Sequence, residues 1–180
     1  MAAAVCVAVF AAGCSSSPSG PHAAGPTGSP QSAPPPVDPP VDAPLDLAGP
    51  RDAQCPYLEG GWVETTTGQR VTGTSLDTRF IPPACFFWSY EAEAPQLTVL
   101  ARTFPTHEQA VAAVDAAAPI DSTQKALDPA GWSGGRCGGP GGGSVYAVWK
   151  GSTAVIVTAA QEQSVKAQQV AEQTIRALAL

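Results

Sequence analysis

The chain has 180 residues, a formal net charge of −6 and 13% charged residues, with 19 prolines and 18 glycines. No Lys/Arg run or basic patch is present, so a phosphate-tracking surface is excluded and nucleic acid is not an expected partner. No asparagine occurs, which excludes N-glycosylation sequons, and 126 residues from Cys55 onward suffice for one domain around one core.

Residues 2–13 are apolar and small, and they lead into Ala11-Ala12-Gly13-Cys14. A membrane-spanning helix needs about 20 apolar residues, whereas the h-region of a secretory signal needs about 7 to 15. Small residues running into one cysteine look like a bacterial lipobox, where the thiol takes a diacylglyceryl group and the peptide is cut just before it. We therefore expect a signal peptide over 1–13, lipidation at Cys14, and a protein held on the outer face of the cytoplasmic membrane. Two acyl chains make a stable anchor where one does not. No Lys or Arg precedes the apolar run, so the natural start is expected upstream of Met1. The alternative is a cytosolic protein with an apolar N-terminus, which leaves the next segment without a purpose.

That segment, 14–54, holds eleven prolines and no Phe, Tyr or Trp. Such a composition buries too little apolar surface to offset chain entropy and reads as a disordered tether. Fully extended as polyproline II it reaches at most ~120 Å, at about 3.1 Å per residue.

The domain is expected over 55–180. Leu58, Trp62 and Val63 share a helical face, and Gly68 suits the C-terminal cap. Val71-Thr72 and Thr78–Ile81 read as short extended pieces, followed by a break at Pro82-Pro83. Cys85–Tyr90 is a compact aromatic strand and Gln96–Phe104 a second strand. Thr106 with Gln109 three residues later fits a capping box. The helix it opens carries Ala110/Val111, Val114 and Ala117/Ala118 on one stripe and stops at Pro119. Residues 119–143 show no period, with eight glycines from Gly131 on, and are expected to be a loop. Ser144–Lys150 and Thr153–Ala159 form a hairpin whose Gly151-Ser152 turn suits type II′. Both strands are apolar on both faces, so they should be central and covered by helices. Ser164–Leu178 is a last helix, with Ser164 as its N-cap. The order gives an α+β fold: one small domain, an antiparallel or mixed sheet with helices packed on it.

With Cys6 in the signal and Cys14 lipidated, Cys55, Cys85 and Cys137 remain, which makes one pair and one left over. We favour Cys55–Cys85, which pins the start of the domain to the start of a strand. Loop entropy barely separates the pairings, at ~3.5 kcal/mol for Cys55–Cys85 against ~4 kcal/mol for Cys85–Cys137, so pairings through Cys137 stay open.

Catalytic chemistry finds little support. His107 is the only histidine beyond the tether; a triad would have to join it to Ser75 or Ser89 and Asp77 or Asp121, and no Gly-x-Ser-x-Gly elbow is present. No cysteine pair has metal-ligand spacing, so neither metal nor cofactor is expected. The glycine-rich stretch lacks Gly-Lys-Ser/Thr and opens a strand rather than a helix, which argues against a phosphate cradle. Long loops are often functional, so the 119–143 stretch is the candidate lid over a groove, with Trp132 and Arg136 as ligand contacts. Trp62, Trp88, Trp132 and Trp149 offer the aromatics of a sugar-binding platform, but aromatics in a small domain are more often core, and Trp132, in the loop, is the expected exception. The acid pairs Glu91/Glu93 and Glu162/Glu172 read as solvated charges rather than glycosidase carboxylates.

Cys55-Pro56-Tyr57-Leu58, Gly68-Gln69-Arg70-Val71, Cys85-Phe86-Phe87-Trp88, Gly131-Trp132-Ser133-Gly134-Gly135, Val145-Tyr146-Ala147-Val148 and Gln161–Ala167 together resemble an actinobacterial secreted lipoprotein family carrying a domain of unknown function, number twenty-twenty. The likeness covers nearly all of 55–180. It implies a mycobacterial or corynebacterial envelope lipoprotein with a small α+β domain, akin to Mog1/PsbP-like folds, and it transfers no catalytic residue. The expected function is a non-enzymatic binding domain for an envelope protein, lipid or glycan; the alternative is a hydrolase or transferase acting on cell-wall glycan or lipid. An apolar groove beside 119–143 would favour the first, and a deep pocket with two convergent titratable groups the second.

Overall fold

The computed structural model describes residues 39–40, 43–90, 92–138 and 143–180. Cys14, the signal segment and most of the expected tether lie outside these residues. The elements run α1 (Gly60–Thr67), β1 (Gly73–Asp77), β2 (Ala84–Trp88), β3 (Leu97–Thr103), α2 (His107–Ala117), β4 (Gln124–Ala126), β5 (Ser133–Gly138), β6 (Ser144–Lys150), β7 (Thr153–Ala159) and α3 (Ser164–Ala177). The strands form one antiparallel sheet in the order β1-β2-β3-β7-β6-β5-β4. The fold is α+β, as expected. The most apolar strands take the middle, because only there are both faces covered.

The β6–β7 hairpin sets the centre, with Lys150 paired to Thr153 and Ser144 to Ala159. Gly151 supplies the positive φ of 59°, while Ser152 is not among the positive-φ residues, the combination that type II′ needs. Alternation along each strand then sorts side chains to two faces. On one face Val155, Val157, Tyr146, Val148, Leu97, Val99 and Phe87 meet Val63 of α1 and Ala167, Val170, Ala171 and Ile175 of α3. A fully buried Val, Leu or Phe in such a layer contributes roughly 1.5–3 kcal/mol.

The opposite face is covered in two parts. Over β6 and β7, Ala147 and Ala154 join Phe104 and the Ala110, Ala113 and Val114 stripe of α2. The helix begins with half of the expected capping box: Gln109 N donates to Thr106 Oγ1, but the Gln109 side-chain oxygen does not reach back to a hydrogen-bond donor. Over β1, β2 and β3, Phe80, Ala84, Phe86 and Trp88 form a separate cluster against Leu45 and Leu100.

Leu45 belongs to what the composition presents as tether. Residues 43–54 instead form a strap on the sheet. Arg102 donates to the carbonyls of Pro39 and Pro40, Arg79 Nη2 to that of Pro44 at 2.8 Å, and Asp46 N to Asp77 Oδ2 at 2.9 Å. The Arg51 guanidinium lies 3.5 Å from the centre of the Trp88 ring. Asp52 makes a parallel bridge to Thr74, with Ala53 N donating to the Thr74 carbonyl at 3.0 Å. The strap makes its bonds with backbone carbonyls and amides and with few apolar side chains, which is why composition misreads it.

Other expectations shift. The first strand is Gly73–Asp77, between the two pieces predicted around it, and Thr78–Pro83 is the turn. α3 has Gln163 at its N-cap and Ser164 one position inside, a one-residue offset usual at helix ends. The expected loop 119–143 contains β4 and β5.

Candidate functional site

Pro119 ends α2, since its ring offers no N–H to continue the ladder. The chain turns back at once: Ser122 N and Thr123 Oγ1 donate to the Pro119 carbonyl, at 3.1 and 2.8 Å. It then enters β4 beside β5, with Lys125 opposite Gly135. Gly135 permits this close return. A Cβ there would lie 2.6 Å from Thr123 Oγ1 and 2.9 Å from Ala118 Cβ.

Between α2 and the β4–β5 pair opens a groove of about 420 Å³. Ser133, Gly134 and Gly135 line it with the Trp149 indole. Val111, Asp115 and Ala118 come from α2, and Ile120, Thr123, Gln124, Lys125 and Leu127 from the returning segment. Ile120 is 77% exposed and Leu127 59% exposed. Trp149 is held edge-on by the His107 ring, with centroids 4.7 Å apart. His107 is itself fixed by its Nδ1, 2.7 Å from the Gly151 carbonyl. Asp115 and Lys125 are exposed, and neither has an ion-pair partner among the described residues.

The perturbed acids and phenols lie elsewhere. Asp77 accepts from Arg79 Nη2 at 2.6 Å and Nε at 2.9 Å, and this pairing holds its carboxyl below the ordinary value. Burial pushes the Tyr146 hydroxyl up to about 12; it donates to the Asp128 carbonyl at 2.6 Å. Burial raises Tyr57 as well, and its hydroxyl bonds inward to the Pro83 carbonyl at 3.0 Å. A second hollow, of about 650 Å³, is formed largely by residues 53–60 around Cys55; its Tyr57 hydroxyl is already engaged inward. Among the described residues no three His, Cys, Asp or Glu side chains converge as a metal cluster.

Cys55 and Cys85 are disulfide-bonded, with Cα atoms 5.7 Å apart, and Cys137 is a half-buried free thiol on β5. The Trp132–Arg136 contact loop is not what the chain forms. Trp132 is 3% exposed in the main core, with Lys150 Nζ 5.8 Å from its ring centre. Arg136 sits on β5 opposite Tyr146, on the α3 face, and donates to Gln168 Oε1 at 3.2 Å. The physical reason is strand alternation: it sends Arg136 to the face away from the groove, while Gly135 next to it lines the groove. His107 is not brought to the serines or aspartates considered for a triad. Ser75 accepts from Trp88 Nε1 at 2.8 Å, Asp77 is bound by Arg79, and His107 bonds to the hairpin turn. Glu91 lies outside the described residues; Glu93 and Glu162 are exposed, and Glu172 accepts from Gln168. The residues that sequence reasoning passed over are Ile120 and Leu127. Their signal is two large apolar side chains isolated in a polar stretch.

A family model described as a domain of unknown function, DUF2020, matches residues 39–180. Its first residue coincides with the first residue of the strap's Arg102 clamp. No curated protein matches the chain.

Proposed function

The chain belongs to the DUF2020 family, and from that footing we propose that it is a cell-envelope lipoprotein. Its domain binds a partner molecule without transforming it, and a diacylglyceryl group on Cys14 holds it on the outer face of the cytoplasmic membrane. The groove carries the binding part of this proposal. Its walls are largely apolar, and its charges, Asp115 and Lys125, stand on different elements with no hydrogen bond to one another. That arrangement suits recognition, where a few polar groups orient an apolar contact. Acid–base catalysis would instead need a titratable group positioned on a reacting atom. The anchor part rests on Ala11-Ala12-Gly13-Cys14 and the proline-rich segment after it.

Two measurements test it. Cys14→Ser should move the protein from the membrane fraction to the soluble fraction of its native host; unchanged fractionation overturns the anchor. A photo-crosslinking residue at Ile120 of the membrane-anchored full chain should trap one defined species, and the same residue at Val165, exposed on α3, should not. Equal yields from both positions would remove the groove as the binding site.

A further inference from the structure

Taking the groove as the binding site, we infer that its occupant is an extended polypeptide segment that adds to the sheet as a strand beside β4. Three features of the groove converge on this chemistry. β4 is the last strand of the sheet, and on its outer side no strand or bridge is paired among the described residues. A sheet edge offers a row of amides and carbonyls ready for another chain. The β1 edge shows what this molecule does when an edge is closed: the Asp52–Thr74 bridge lies along it. Next, the groove adjoins that bare edge, and exposed Ile120 and Leu127 border it. Finally, the charges are unanswered. Lys125 pairs with Gly135, and Gly135 with Ala147, so Lys125 stands on the sheet face that bears the groove. A residue directly across from it on an added strand would share that face, with Cβ atoms about 5 Å apart.

A peptide strand answers all three features. Its main chain meets the β4 edge, and its side chains at i, i+2 and i+4 all face the groove. An acidic residue then meets Lys125, an apolar one enters between Ile120 and Leu127, and a basic one addresses Asp115. A bare hydrocarbon chain covers the apolar walls and leaves both charges and the strand edge unmatched.

The probe is an acetylated, amidated heptapeptide of threonines at odd positions, with Glu, Val and Lys at the second, fourth and sixth. Titrated into the isotope-labelled full chain, it should shift the amide signals of Gln124–Ala126 and the Trp149 indole signal, and slow hydrogen exchange along β4. An N-methylated version with its main-chain donors blocked should bind at least tenfold more weakly. Lys125→Glu, an exposed change, should weaken the probe about fivefold and favour a version with Lys in place of its Glu, the size expected of a cross-strand charge pair. Equal binding of the N-methylated peptide overturns strand addition. Octanoate shifting the groove signals while the peptide does not overturns it in favour of an acyl chain, with the binding-domain reading intact. Silence from both probes also overturns it, and the Ile120 crosslink then judges that reading separately.

Discussion

The two ends of the sheet are finished in opposite ways. At the β1 end the chain covers itself: the strap lays Leu45 on the cluster of Phe80, Ala84, Phe86 and Trp88, pairs Asp52 with Thr74, and is held by Arg79, Arg102 and Arg51. At the β4 end the last strand is three residues long, two of them exposed, and the groove beside it is lined by Ile120 and Leu127. Edges left open carry a risk of unwanted pairing. The chain closes the β1 edge with its own residues 43–54, while beside β4 no further strand is paired among the described residues; on the proposed reading, the open end is the one that recognises a partner.

Substitutions should separate the two ends by the size of their effect on unfolding in denaturant. Phe86→Ala empties a fully buried site under the strap and should cost about 3–5 kcal/mol. Replacing Cys55 and Cys85 together by Ser should cost about 3.5 kcal/mol, the loop entropy of 30 residues. Asp77→Asn should cost about 2 kcal/mol at pH 7, since the carboxylate loses its charge-assisted bonds to Arg79. The sign with pH follows from its depressed folded value. The wild-type contribution is complete above the unfolded pKa of about 3.9 and disappears as pH falls through the lower folded one. The variant should therefore lack that part of the acid-limb slope below about pH 4. Leu45→Ala, half-buried at the strap, should cost about 1 kcal/mol. Leu127→Asp, at the groove rim, should change stability by less than about 0.5 kcal/mol while abolishing probe binding. A large loss from Leu127→Asp, or none from Leu45→Ala, would break the division between the ends.

The sequence discloses the elements whose signals are local. Thr106 and Gln109 announce α2, Gly151-Ser152 announces the hairpin, and the doubly apolar β6 and β7 announce the centre. It hides elements whose reasons are distant. β5 reads Ser-Gly-Gly-Arg-Cys-Gly with no alternation, because Gly135 is small to admit Ala118 and Thr123. β1 is displaced from its prediction because its stability comes from pairing with β2 and from the strap, not from its own residues. The groove follows the same rule. Trp132, judged by its place in a glycine-rich stretch, proves to be core, while Trp149, expected in the core, lines the groove. Two isolated apolar residues, Ile120 and Leu127, were the legible trace of the site.

The strap's contacts follow the order of its sequence, and this has a mechanical consequence. Tension applied upstream of Pro39 meets the Arg102 clamp first, then Arg79 on Pro44 and Asp77 on Asp46, then Arg51 on Trp88 and the Thr74 bridge. These open one after another as a peeling front rather than together. The front arrives at Cys55, covalently joined to β2, and there the load passes into the middle of the β1–β2–β3 region. A pull from the N-terminal side thus yields in graded steps and stops at a fixed point, the Cys55–Cys85 bond.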